Sequence, residues 1–278
     1  MLDFEFLARG CYTPEQLVID YNPAHRASFT AKMRTEMERV WYDKLTQAKK
    51  QDFPLFDGQL FRLIYAEERD DKTLRVKLGD TSYKEYVATR TPEFSRQLTR
   101  DELSNPLSVC SVIETLDSYI LLEKRQGTDV HDGRLHVIGG FMERGKDTKD
   151  DKPDPFGAMN REMREETGIQ ERDIHEQYCL GMVYDTLVPH PELCFVTRLN
   201  IPLTALSKRK AEDNEVKELQ MLRVTATTLK ESLLANHGNI SPTGEAALIL
   251  YGTWKFGAGW FEDVMVSILM QADDRIPG

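Results

Sequence analysis

The spacing of apolar and polar residues changes several times along the 278-residue chain. It predicts a helix around Phe29 to Ala48, then strands at Leu60–Tyr65 and Thr73–Leu78. Asn105-Pro106 is a turn signal, and we place a boundary there. Beyond it, Val109–Glu114 and Tyr119–Glu123 read as two short strands around a turn at Leu116-Asp117-Ser118. His136–Ile138 leads into the Gly139-Gly140 pair, and further strands are expected at Cys179–Val183, Leu193–Leu199 and Leu219–Val224. Helices are expected at Pro155–Thr167, Ala226–Ala235 and Gly244–Tyr251. This interleaving lacks the regular alternation of a doubly wound fold and favours an α/β sandwich built on a mixed sheet. The stretch from Arg144 to Pro153 is nearly all charged or turn-forming and reads as a solvated loop.

The run Arg161-Glu162-Met163-Arg164-Glu165-Glu166-Thr167-Gly168-Ile169 closes one expected helix. Asp154 is placed to cap its start with Pro155 at the first helical position, and Gly168 supplies a left-handed stop. Phe156, Met159 and Met163 make one apolar face. Glu162, Glu165 and Glu166 gather on another at spacings i, i+3 and i+4. Three clustered carboxylates repel one another unless a cation sits among them. Hard oxygen ligands suit Mg²⁺ or Mn²⁺, which bridge to phosphates and can lower the pKa of an attacking water. A Glu/Arg-rich surface helix is the ordinary alternative.

The run also resembles the second half of the Nudix box, REUxEExGU with U aliphatic. With typical residue frequencies the pattern arises by chance roughly once in 10⁷ starting points, which sets the surface-helix alternative well behind. The first half departs from the family. There a glycine is followed six positions later by Glu and eight further by the Arg. Here Gly140 plus six is Lys146, and Arg161 lies fifteen beyond it, so the box loop carries about seven extra residues. Glu143 and Asp147 are both candidates to replace the missing acid as the partner of Arg161.

The resemblance implies a Nudix fold, a mixed sheet between helices, with an N-terminal α+β extension. Residues 1–105 would be a recognition region, 106–255 the Nudix domain and 256–278 a C-terminal tail. It implies Mg²⁺, with Mn²⁺ as substitute, held by Glu162 and Glu166, with Glu165 as third ligand or water-activating base. A backbone carbonyl at Gly139 or Gly140 would complete the site. Arg161, Glu165 and Glu215 are the catalytic candidates. Glu215 resembles the loop base of such enzymes but equally fits a plain loop acid, and Glu192 has a lesser claim.

Upstream, Leu55-Phe56-Asp57-Gly58, Phe61-Arg62-Leu63 and Leu78-Gly79-Asp80-Thr81-Ser82-Tyr83 resemble the N-terminal region of animal Nudix UDP-glucose/UDP-galactose pyrophosphatases. Pro23-Ala24-His25 and Ala246-Ala247-Leu248-Ile249-Leu250-Tyr251 resemble them too, so that the likeness spans roughly residues 12–255. It implies hydrolysis of a UDP-sugar to UMP and sugar 1-phosphate. Arg125 would hold a phosphate, or it is a strand-end surface charge. The Thr81-Ser82-Tyr83 turn would face the base, Tyr83 stacking on it or else being a buried aromatic. His131 and His136 are expected to be structural or surface residues. Other readings keep the chemistry with ADP-ribose, a dinucleotide, a coenzyme or an RNA cap as substrate, or make the chain a non-catalytic nucleotide sensor.

Composition narrows this picture. A hydrophobic share of 40% with 29% charged residues is ordinary for a globular protein. The net charge of −10 disfavours a general nucleic-acid partner and leaves a small-molecule nucleotide as the expected one. Cys11, Cys110, Cys179 and Cys194 form no CxxC pair, which argues against a zinc site or disulfide scaffold and fits a reducing compartment. The acidic N-terminus is unlike a signal peptide, and no uncharged apolar run approaches a membrane span of about 20 residues. A cytoplasmic monomer or homodimer without membrane association is expected.

Overall fold

The computed structural model describes residues 2–50, 55–127, 129–212 and 218–273. The N-terminal segment holds β1 (Phe4–Tyr12), β2 (Leu17–Tyr21), α1 (Ala31–Lys50), β3 (Gln59–Glu68), β4 (Leu74–Ser82), α2 (Tyr83–Thr89) and the single turn α3 (Pro92–Ser95). There follow β5 (Ser108–Glu114), β6 (Tyr119–Lys124), β7 (Leu135–His136), β8 (Ile138–Phe141), β9 (Thr148–Lys149), β10 (Lys152–Pro153) and α4 (Pro155–Thr167). The chain ends with β11 (Ile174–Asp185), β12 (His190–Leu199), the single turn α5 (Leu203–Leu206), β13 (Glu218–Arg223), α6 (Ala226–Asn236), α7 (Pro242–Phe256) and α8 (Ala258–Asp273).

The main sheet runs β1-β11-β12-β5-β6-β13, with β8 on β5 and β7 on β6. Only β12 and β5 pair in parallel among these strands, so the sheet is mixed, as expected. Helices cover both faces. Successive residues of β5 point to opposite sides, as the strand period requires. Val109 and Ile113 join the core that also takes Met159 and Met163 of α4. Cys110 and Val112 join the core that takes Leu229 of α6, Leu248 of α7 and Val264 of α8.

A second sheet, β2-β4-β3, is stitched to the box loop and to the segment before β5, and its β3 also packs against the edge strand β1. Phe61 N–H donates to Met142 O, Leu107 N–H to Phe61 O, and Arg144 N–H to Gln59 O. Arg144 also reaches Asp80 at 2.8 Å. The N-terminal sheet thus borders the segment that follows Gly139 and Gly140.

Four elements differ from expectation. β1 is the edge strand of the main sheet; its alternating Phe4, Phe6 and Ala8 are broken by two bulges against β11, which obscures the period. β2 was not expected either. Thr81-Ser82-Tyr83, read as a turn, is the end of β4 running into α2, with Ser82 the N-cap of a full capping box with Glu85. Residues 258–273, read as a tail, form α8, with Val264 and Ile268 fully buried.

The box loop also differs. Instead of an unstructured segment, 148–153 is a two-residue hairpin whose turn residues Asp150 and Asp151 have φ of 50° and 60°. That pair of left-handed residues matches a type I′ turn, which Asp tolerates. Pro153 is buried at its base, with β10 against β2.

Candidate active site

Helix α4 forms as its sequence specifies. Asp154 accepts a hydrogen bond from Gly157 N–H at 3.0 Å, Pro155 occupies the first turn, and Gly168 stops the helix at φ 73°. Ala158, Met159 and Met163 are buried, and Phe156 meets Phe195 edge to face with ring centroids 5.0 Å apart. Fixing that apolar face aims the next turn at the box loop.

Arg161 is the centre of the site. Its Nε and one terminal nitrogen both lie 2.7 Å from the two oxygens of Asp147, a bidentate fork. The other terminal nitrogen is 2.9 Å from Glu162 and 3.0 Å from Glu165. Burial opposes charge on this guanidinium, but Asp147, Glu162 and Glu165 together push its pKa well up. Of the two candidate partners, Asp147 holds Arg161. Glu143 instead donates its N–H to Asp147 and pairs with Lys146 at the surface.

Gly140 explains how an acid approaches the sheet. A Cβ at that position would lie 2.5 Å from Glu162 Oε1 and 3.0 Å from its Oε2, so a side chain there would push the carboxylate out of this position. Gly139 is equally confined, its virtual Cβ 2.3 Å from Val109 O. The backbone of β8 and the Glu162 carboxylate therefore come face to face, with Glu165 and Glu166 on the next turn of α4.

Beside this cluster opens a narrow cleft of about 40 Å³, lined among others by Arg125, His131, His136, Gly139, Gly140 and Phe141. Arg125 was expected near a phosphate and stands in that wall. His131 and His136 are cleft residues too, a position the sequence reading did not give them. His131 pairs with Asp185 at 2.6 Å. His190 also lines the cleft, and burial pushes its pKa below the ordinary value. The sequence held one signal for these residues. His190, Glu192 and Cys194 alternate along the first half of the strand, which places three reactive side chains on one face of β12.

Tyr83 packs edge-on with Trp41, Tyr86 and Phe141, at centroid distances of 6.4, 6.1 and 6.2 Å. Its hydroxyl donates to Asp129 at 3.0 Å. Burial first, then the Asp129 charge, push the phenol's pKa up. Asp129 is also bound by Lys44 and Arg90. Ser82 is buried, and its hydroxyl accepts from Glu85 N–H; it does not line the cleft. Glu215 lies outside the described residues. Glu212, three positions earlier, donates its N–H to Glu165 O and pairs with Arg164 at 3.0 Å.

Among solved structures, the chain is similar to an ADP compounds hydrolase at 16% identity, over 68% of this chain and 83% of that one, with a TM-score of 0.40. It is similar to a NUDIX hydrolase from Nitrosomonas europaea at 18% identity, over 54% and 89% of the two chains, with a TM-score of 0.35. A MutT protein from Methanosarcina mazei Go1 matches at 18% identity over 51% and 88%, with a TM-score of 0.33. No family model and no curated protein matches the chain. Likeness at this level assigns no activity. Among the described residues, no helix is long and apolar enough to cross a membrane.

Proposed function

We propose that the chain is a Nudix hydrolase, a Mg²⁺-dependent pyrophosphatase that hydrolyses the diphosphate bond of a nucleoside diphosphate linked to another moiety. One observation carries this reading: Arg161, clamped by Asp147, holds Glu162 and Glu165 together against the glycine backbone of β8. The departure from the box pattern supports it as well. The extra residues bring an aspartate to the guanidinium, so an acid partner is retained although the spacing is lost.

The donor set fits Mg²⁺: three carboxylates on one helix face, and a glycine cradle that brings one of them against the backbone. Glu162 and Glu166, with a carbonyl of Gly139 or Gly140, would hold the ion, and Glu165 would be a third ligand or take the proton of the attacking water. When bound, the ion supplies charge neutralisation of the diphosphate and acidifies a water. Arg161 keeps the carboxylates at fixed spacing by binding two of them at once. Arg125, in the lining of the same cleft, would grip a phosphate oxygen. Glu215 remains our proposal for a general base.

For the substrate we infer a UDP-sugar, cleaved to UMP and sugar 1-phosphate. Phe141, which lines the cleft beside Gly140 and packs edge-on with Tyr83, supports a stacked base. A panel of UDP-glucose, UDP-galactose, ADP-ribose, NADH and dNTPs, each with Mg²⁺, with Mn²⁺ and with EDTA, tests both levels. We expect turnover only with metal and fastest on a UDP-sugar. Undiminished turnover in EDTA overturns the mechanism; metal-dependent turnover confined to another substrate overturns only the sugar assignment.

A further inference from the structure

We propose that Cys110, His136 and Glu192 form a second cation site, for a borderline-soft divalent metal of the zinc type. It is independent of the Mg²⁺ reading above. The Sγ, ring nitrogen and carboxylate oxygen of these residues lie within 4.8 Å of one another, and all three residues are buried. The cysteine spacing argued against zinc because zinc motifs usually pair ligands locally. Here the ligands come from three strands, β5, β7 and β12. Sheet pairing supplies what spacing does not: β12 runs parallel to β5 with Glu192 opposite Ser108 and Cys194 opposite Cys110.

Two further features point to a cation. His136 Nδ1 bonds the Ser241 hydroxyl, while its Nε2 lies 3.8 Å from Glu192 Oε1. A metal-binding histidine is oriented in this way, one nitrogen tied and the other presented. Glu192 Oε2 is buried and meets no hydrogen-bond donor, which leaves a lone pair for a ligand in a place where unsatisfied oxygen is costly. His136 and Glu192 both line the solvent-connected cleft, which gives a route of entry.

The chemistry separates this site from the acidic one. A thiolate and an imidazole select zinc or cobalt over magnesium. Tetrahedral coordination at ordinary bond lengths puts ligand atoms about 3.5 Å apart, so the side chains would close by roughly 1 Å on binding. The Cys110 thiol, whose pKa burial raises well above the ordinary value, would give its proton to solvent as the S–metal bond forms.

The test is a Co²⁺ titration of the metal-stripped chain in excess Mg²⁺. A Cys11→Ser background removes the one exposed thiol. We expect a thiolate-to-cobalt charge-transfer band that saturates at a single equivalent and is abolished by Zn²⁺. The band should persist in Glu162→Gln and weaken at least tenfold in affinity in Cys110→Ser and His136→Gln. Absence of the band, or a band undiminished in Cys110→Ser, overturns the site. Should the buried Cys110→Ser variant not fold, proton release decides. Zn²⁺ added to the unsubstituted chain in weak buffer should free at least one proton per metal bound, and no acidification refutes the proposal.

Discussion

At the end of α4, Asp147, Glu162 and Glu165 ring one guanidinium, and all four groups come from the stretch 147–165. The wall around Tyr83 is assembled differently. Lys44, Tyr83, Arg90 and Asp129 meet around one carboxylate, drawn from α1, α2, the helix end and the loop after β6. The first group is a charge cluster whose geometry follows from helix spacing and a single loop. The second depends on tertiary packing, since no local rule brings α1 to that loop. The contrast suggests a division of labour: the local cluster would handle diphosphate and metal, while the composite wall would select what the diphosphate is attached to.

The sharpest way to break that division is Glu166→Gln. It keeps size and helix propensity while removing a charged ligand, and α4 is fixed by its caps and apolar face, which the change does not touch. kcat should fall by orders of magnitude on every substrate, with melting temperature unchanged or raised because like charges are relieved. Near-normal kcat would move the metal elsewhere.

Asp147→Asn probes the clamp rather than the ligands. Arg161 would lose its bidentate partner in a site where both residues are less than a tenth exposed. Removing one partner of a buried pair costs about 3–5 kcal/mol, and the remaining contacts to Glu162 and Glu165 should hold the loss toward the lower end. We expect a drop in stability by denaturant titration and a smaller fall in kcat than for Glu166→Gln, recovered in part by Asp147→Glu. A variant as stable as the parent would show that Asp147 merely accompanies Arg161.

These two cases show why the sites differed in legibility. The helix, its caps and the three glutamates follow from residues at most a few turns apart, so the pattern 154–169 specified them. Asp147 was one of two candidate partners for Arg161 in the loop, and a hairpin turn, invisible to periodicity in two-residue strands, decided between them. The cleft histidines were missed because their meaning depends on β5, β7, β8 and β12 being neighbours. In α2, Tyr83 was read in a turn because strand and helix meet there without a break.

Tyr83→Ala tests the composite wall. Loss of a stacking contact costs about 1–3 kcal/mol, or roughly 5- to 150-fold in binding. KM for a UDP-sugar should rise by an amount in that range with kcat falling less, and a diphosphate lacking the base should be affected less. Since the ring touches three other aromatics, melting temperature should fall as well. Unchanged KM in the folded fraction would make Tyr83 a packing residue only.

The smallest expected effect lies at the tip of the box-loop hairpin. Residues 148–152 are exposed, whereas Asp147 and Pro153 at the base are buried, so the two parts of the insertion have different duties. The base delivers the Arg161 clamp, tied by Asp154 N–H to Asp147 O at 2.9 Å, and the tip only has to turn. Both turn residues are aspartates with positive φ, adjacent like charges in a conformation that glycine adopts without steric cost. Asp151→Gly should relieve both penalties, as in the Asp-Gly pairs favoured in type I′ turns. The gain should be about 0.5–1 kcal/mol, or roughly 1–4 °C in melting temperature for a chain of this size. Turnover should not change, because the tip contributes no group to the cluster. A fall in kcat with unaltered stability would mean instead that the Asp151 carboxylate acts on the substrate side, and the insertion would then belong to the recognition wall.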